Sequence, residues 1–422
     1  MSFYSDSNVK TRYFDPSTFV PGARASFELD GNDLAYLPNM RILNIGFTNS
    51  TSNNTNYNRL VGALGVVQSI RLLDGKQELS SLNQASLYRG FLNCNKRNDE
   101  IISVTGFLGR NELGYAPGND GITLDPDAQG VNGVTQLGSE GIATLGYLDL
   151  REVFPMLASV SHLPTAVFKN LRIELTYIGD TNGKNLVSPN NQGSSVGARP
   201  VLAVDVLENP AIVNKLNKSL QNASWMEVEH DRFRIPATAT NGGAGDQDVV
   251  QNTNVKLNGF NNKRIQRLLL VKQIPDPAVF ITANAIDAYG IYASQNLYKE
   301  TLQIRVNGRN IFPRAGLVGD NERLASLTDN FGPMLSYPSS NSQGVDATNL
   351  VTRNNDLAGQ LDYDGVLIGD YINDLQIQLG RTGTASTDAR KPNTTTLDVH
   401  CFAEIMKTMR LTATGYNISY VQ

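Results

Sequence analysis

A chain of 422 residues is too long for one small domain and comfortable for two of about 200 residues each. Charged residues are 18% of it, below the usual quarter, and 37 glycines accompany frequent Asn, Ser and Thr, a composition that suits many short strands joined by polar loops. The formal net charge of −4, with Lys10 and Arg12 offset by Asp6 and Asp15, excludes a basic N-terminal arm of the kind that condenses a genome directly.

In chain order, Met1–Gly22 reads as an irregular arm with Pro16 and Pro21 as breakers. Ala23–Leu29 and Met40–Phe47 read as strands, followed by a polar loop over Asn49–Asn58. Val61–Leu73 leads into a tight turn at Asp74–Gly75, where Asp-Gly supplies the positive backbone angles of a two-residue hairpin. Ser80–Asn93 is ambiguous and admits a short helix. Ile101–Leu108 is another strand, and Gly109–Gly138 is a long Gly/Asn/Asp loop of a length uncommon without a purpose. Tyr147–Val160 combines a strand with a short amphipathic helix, with Pro155 as an obstacle. Leu171, Ile173, Leu175 and Tyr177 alternate with Arg172, Glu174 and Thr176 as a half-buried strand does. Asp180–Gly197 is polar loop, and Val201–Leu207 is strand. Pro210–Asn222 is the best helix in the sequence, with Pro210 at a first helical position and Val213, Leu216 and Leu220 in one stripe.

The second half repeats the order. Trp225–Ile235, Val255–Leu257 and Arg264–Gln273 are strand-like, and Arg267–Leu268–Leu269 echoes Arg41–Ile42–Leu43. Asp276–Ser294 is an inserted loop. Lys299–Arg309 carries Ile304–Arg305–Val306–Asn307–Gly308, an echo of Ile70–Arg71–Leu72–Leu73–Asp74–Gly75. Pro333–Asn355 is the counterpart of the loop over Gly109–Gly138. Leu375, Ile377 and Leu379 match Leu171, Ile173 and Leu175, and Leu397–Glu404 matches Val201–Leu207. Met406–Gln422, with Tyr416, Ile418 and Tyr420 alternating, suggests a terminal strand that docks on the chain itself or on a neighbour. The shared order of these landmarks points to an internal duplication.

Cys94 and Cys401 are the only cysteines, far apart in sequence, which makes no disulfide framework and reads as a reducing compartment. Met1–Asn8 does not read as a signal peptide, and no apolar run approaches the roughly 20 residues that span a bilayer. Asn-x-Ser/Thr triplets at Asn49, Asn53, Asn217, Asn222, Asn393 and Asn417 read as chance in an Asn-rich chain.

Two consecutive all-β units with about eight strands each suggest two antiparallel jelly-roll sandwiches with short helices and long loops. On the Ser69–Lys76 hairpin and its echo, the Leu148–Pro155 segment leading through Leu163–Pro164 to Leu171–Tyr177, and the mid-chain helix, the sequence resembles a double jelly-roll major capsid protein of a double-stranded DNA virus. Virophage and polinton-like virus proteins are the most similar type. The resemblance implies an arm over 1–22, a first jelly roll over 23–209, a connector helix over 210–223, a second jelly roll over 224–405 and a tail over 406–422. It further implies a homotrimeric, pseudo-hexameric capsomer in an icosahedral virion, assembled in an infected cell. Long loops would form an outward tower, and the partners would be neighbouring capsomers, pentons and minor capsid proteins. Genome contact would be indirect, and an internal membrane is left open.

No enzymatic chemistry is expected, and the catalytic, cofactor and metal sites are all read as none. Glu229–His230–Asp231 is set aside because alternate strand residues face opposite sides, which turns His230 from both carboxylates and leaves ordinary surface residues. His162, His230 and His400 are too scattered for a zinc site. Asp120, Asp125 and Asp127 lack the spacing of a calcium loop, and these, like Asp362, Asp364 and Asp370, read as solvated loop residues. Trp225 reads as core. No nucleophile elbow, phosphate loop or zincin motif occurs. The alternatives are a carbohydrate-binding sandwich of lectin or fibre type and, behind it, a β-sandwich glycosidase.

Overall fold

The computed structural model describes residues 9–31, 33–45, 67–95, 147–177, 199–219, 222–236, 249–273, 301–313, 316–333, 363–383, 397–411 and 415–421. The strand expected over Ile101–Leu108, the loops over Asn49–Asn58, Gly109–Gly138, Asp180–Gly197 and Asp276–Ser294, and all but the first residue of Pro333–Asn355 lie outside them. The chain forms two compact units, one from Met1–Arg89, Asp99–Val228 and Met406–Val421, the other from Gly90–Asn98, Glu229–Ile405 and Gln422.

The first half runs β1 Val9–Phe14, β2 Thr18–Val20, β3 Arg24–Glu28, β4 Ala35–Tyr36, β5 Arg41–Leu43, β6 Val67–Asp74 and β7 Gln77–Asn83. Helix α1 Ala85–Cys94, β8 Tyr147–Asp149, a 3-10 turn over Leu150–Glu152 and α2 Pro155–Ser159 follow. It ends with β9 Leu163–Pro164, β10 Leu171–Tyr177, β11 Val201–Leu207 and α3 Pro210–Ser219. The second half runs β12 Asn222–Ile235, β13 Val249–Lys256, β14 Lys263–Gln273, β15 Thr301–Val306, β16 Arg309–Asn310 and β17 Leu317–Val318. Then come α4 Gly319–Phe331, β18 Tyr363–Ile372, β19 Leu375–Gly383, β20 Leu397–Leu411 and β21 Tyr416–Tyr420.

The duplication is visible in the sheets. One first-half sheet has the order β2-β3-β10-β6-β7, and its second-half counterpart reads β13-β19-β15-β16. Setting β13 on β3, β19 on β10, β15 on β6 and β16 on β7 makes the two orders agree. The other pair agrees as well. β8-β5-β11, with β1 on the far side of β11, matches β18-β14-β20-β12. The echo of Arg41 in Arg267 carries through to side chains. Arg41 reaches Asp205 on β11 at 3.7 Å, and Arg267 clasps Glu404 on β20 at 2.7 and 2.8 Å.

The core follows from strand alternation. On β10, Leu171, Ile173, Leu175 and Tyr177 are buried while Arg172, Glu174 and Thr176 are not. Ile70 lies opposite Leu175 and Leu72 opposite Ile173. On β19, Leu375, Ile377 and Leu379 are buried and lie opposite Val306, Ile304 and Leu302. Each such aliphatic side chain contributes about 1.5–3 kcal/mol on burial. The arginines of the two hairpins are not in identical register: Arg71 faces Glu174, while Arg305 faces Gln376, nearer the start of its partner strand.

Several local expectations are corrected. The stretch read as an irregular arm contains a full edge strand, β1, paired with β11 from Val9–Leu207 to Phe14–Leu202. Pro155 is no obstacle but stands in the first turn of α2, where a missing N–H costs nothing. Ser80–Asn93 splits into the end of β7 and most of α1. In the first hairpin the two turn residues are Gly75 and Lys76, since Asp74 still pairs with Gln77. Only Gly75 of these has positive φ, 59°, the pattern of a II′ turn. The second hairpin turns on Asn307 and Gly308, at φ 51° and 80°, a I′ pattern. The terminal strand docks on its own chain, with Tyr416–Tyr420 pairing to Lys407–Leu411.

Candidate functional site

The Glu229–His230–Asp231 triplet, set aside in the sequence as an acid/base cluster, disperses. Glu229 on β12 pairs with Lys263 on β14. Asp231 accepts the backbone N–H of Arg232 at 2.8 Å. His230 turns to a third partner: its Nε2 lies 3.0 Å from Nδ1 of His400 on β20, with the rings stacked at 5.2 Å. Two histidines that seemed scattered are thus direct neighbours, and His230 is half-buried rather than an ordinary surface residue. His162 stands apart, fully buried, with Nε2 2.7 Å from the Asn217 Oδ1 and Nδ1 2.9 Å from the Ser161 Oγ. Burial, partly offset by Asn217, lowers its pKa. Among the described residues no group of three or more His, Cys, Asp or Glu side chains is placed to hold a metal ion.

Of the aspartates read as solvated, Asp120, Asp125, Asp127 and Asp362 lie outside the described residues. Asp370 is exposed on β18. Asp364 is not solvated. It is 1% exposed on β18, with Oδ2 2.7 Å from Lys272 Nζ and Oδ1 2.5 Å from Arg323 Nε. Burial alone would raise its pKa, but Arg323 and then Lys272 outweigh that and hold it at about 2. A carboxylate between two buried cations is a structural anchor joining β14, β18 and α4.

Trp225 is core, as expected, and it reveals a second buried acid that the sequence did not single out. Its Nε1 donates to Glu227 Oε2 at 2.6 Å. Glu227 also accepts from Ser80 Oγ at 2.9 and 3.0 Å and from the Ser81 N–H at 2.8 Å. Donors therefore surround the carboxylate, although burial raises its pKa. The group is buried, with Glu227 only 1% exposed.

Near the first hairpin, Asp74 accepts the Asn170 N–H at 2.8 Å and the Tyr416 hydroxyl at 3.0 Å. Tyr416 also stacks on Phe168 at 4.9 Å, fixing β21 to this end of the first unit. A hollow of about 230 Å³ beside it is lined by Glu28, Leu29, Gly75, Asn170, Leu171 and Arg172. That is smaller than the usual 300–1,000 Å³ of a ligand site, and its walls are mostly polar. Exposed large apolar side chains are single rather than clustered in sequence: Tyr13, Val20, Leu34 and Tyr420 in the first unit, Val318 and Leu367 in the second. Among the described residues no helix is long and apolar enough to cross a membrane.

No family model and no curated protein matches this sequence. Solved structures do match its fold over nearly the full length. A quasi-atomic model of the PBCV-1 virus capsid aligns with 100% of this chain and 99% of its own, at 12% identity and TM-score 0.54. The mavirus major capsid protein aligns over 99% and 90%, at 8% identity and TM-score 0.53. The Faustovirus major capsid protein aligns over 98% and 92%, at 9% identity and TM-score 0.53. Together with the repeated strand order, this likeness establishes the fold as a double jelly roll.

Proposed function

We propose that the chain is a major capsid protein, a structural subunit of an icosahedral double-stranded DNA virus shell, with no catalytic role. The carrying observation is the whole-length match to capsid proteins of PBCV-1, mavirus and Faustovirus, none of which leaves a large part of this chain unaligned. The repeated strand order supports a physical reason for the role. Three copies of a duplicated unit present six similar edges, so a threefold ring approximates a hexagon and can tile a plane. The subunit would then occupy the virion capsid as a pseudo-hexameric homotrimer, bordered by other capsomers, pentons and minor proteins, with interfaces of about 2,000 Å² or more.

Light scattering on the purified chain tests this. A trimer weighs 138 kDa, three times the 46.0 kDa of one chain. A monomer whose melting temperature rises with added sugars would overturn the proposal in favour of the carbohydrate-binding reading. Limited proteolysis tests the proposed division into rolls over 23–209 and 224–405 joined by 210–223. Cleavage in the loops is expected to release neither half as a soluble domain.

A further inference from the structure

Half-buried His230 and buried His400 form an ionisable pair that neither the strand pairing nor the shell reading requires. They sit on neighbouring strands, β12 and β20, and β12 is the edge of its sheet. His230 packs over His400 and over Phe402, at centroid distances of 5.2 and 5.0 Å. His400 is only 4% exposed. The 3.0 Å contact between ring nitrogens is a hydrogen bond only if one of them lacks a proton. Protonation of both rings replaces that bond with two N–H groups aimed at each other and two stacked cations.

The surroundings offer little to receive those charges. On β12, Arg232 and Arg234 share the alternation of His230, which adds two cations to the same row. Asp231, next along that strand, is the acid whose charge favours protonation of His230, against the opposing charge of Arg232. On β20, the charge of Asp398 favours protonation of His400, but both of its oxygens are held by Arg234 at 2.7 and 3.0 Å. On the other side of β20, β14 places Val271 opposite His400, and the adjoining Lys272 is tied to Asp364. Cys401 is buried beside the pair, and burial raises its pKa well above the ordinary value.

We propose that His230 and His400 form an acid-sensitive latch, which ties edge strand β12 to β20 while the rings are neutral and releases it when both take up protons. The latch is a property of the second unit and stands whether or not the chain builds a shell. Burial holds the pKa of His230 at about 4, and burial together with His230 holds His400 at about 3, against 6.5 for a free ring. Folded-state pKa values below the unfolded ones mean that the unfolded chain binds more protons. The latch is therefore complete above pH 6.5 and weakens as the pH falls toward 4.

The chain has only three histidines, so ring nitrogens can be followed by NMR after selective 15N-histidine labelling. In His162→Gln the two remaining rings are those of the pair. Both are expected to stay neutral in the folded chain down to about pH 5. Denaturant titrations then read the coupling. Between pH 7.5 and pH 5 the pair raises the unfolding equilibrium constant on the order of a thousandfold, and His230→Gln/His400→Asn removes that share of the pH dependence. Amide exchange, corrected for its intrinsic pH dependence, is expected to rise on β12 before β14. Either ring titrating near 6.5 in the folded wild type overturns the proposal, and that measurement does not depend on the double variant folding. An undiminished pH dependence in a folded double variant also overturns it.

Discussion

The substitution Asp364→Asn probes the buried ion cluster of the second unit. It removes the carboxylate that bridges Lys272 and Arg323, whose side chains are 1% and 0% exposed, while keeping the volume. The Asn amide presents an oxygen to only one cation and an N–H₂ to the other. Breaking a buried pair commonly costs about 3–5 kcal/mol, because the surviving charge is neither hydrated nor neutralised. The carboxyl pKa gives a smaller, independent figure. Its shift from 3.8 to about 2 corresponds to roughly 2 kcal/mol, present in full above pH 3.8 and lost as acid takes the pH through about 2. Because the amide also turns an N–H₂ toward one of the cations, a loss of about 4 kcal/mol at pH 7 is expected. Chemical denaturation followed by far-UV circular dichroism measures it. The triple variant Lys272→Met/Arg323→Met/Asp364→Leu provides the contrast, since apolar replacement of a whole buried cluster is often neutral or stabilising. A single variant within about 1 kcal/mol of wild type refutes the reasoning. So does a triple variant as unstable as the single one.

Three further outcomes are expected. Gly316 has φ +110°, and a Cβ there would stand 2.3 Å from the Leu302 carbonyl oxygen, so Gly316→Ala is expected to lose about 3 kcal/mol in denaturant titration. Glu227→Gln leaves Trp225 Nε1 or the Ser81 N–H facing an amide donor and is expected to cost about 1–3 kcal/mol, with a changed emission from the chain's single tryptophan. The raised pKa of Glu227 has the opposite sign to that of Asp364. The fold favours its protonated form, and that gain is lost as the pH rises from 4.5 through the raised value, which the same emission follows. Tyr416→Phe removes one hydrogen bond to Asp74 and keeps the stack on Phe168, so about 1 kcal/mol is expected, read from the melting temperature.

Much of the architecture is local and was therefore legible. Alternation in Leu171–Tyr177 and Leu375–Leu379 set which side chains go inward, and the Gly-containing turns set the hairpins. Where a strand lies at an edge, the signal fades. Lys10 and Arg12 of β1 make their contacts through charge, with Glu208 and Asp33, so no apolar alternation marks the segment. Helix α4 was missed for a related reason. Its buried positions recur at Arg323, Leu327 and Phe331, the right spacing for a helix face, but an arginine occupies one of them. The ion cluster, the buried Glu227 and the histidine pair join residues far apart in the chain. His230 and His400 lie 170 positions apart, and only the pairing of β12 with β20 brings them together.

The last strand has a consequence for biosynthesis. Residues 406–421 belong to the same unit as the opening hairpin, and Tyr416 closes onto Asp74. The ribosome makes β21 after β1 to β20, so a unit begun with β1 closes only after every strand of the second unit has been made. Until β21 arrives the first unit lacks its closing strand, while the second unit, which uses β20 only as far as Ile405, already has all of its strands. A pause in translation between Met406 and Tyr416 should therefore expose the first unit, rather than the second, to chaperones and proteases.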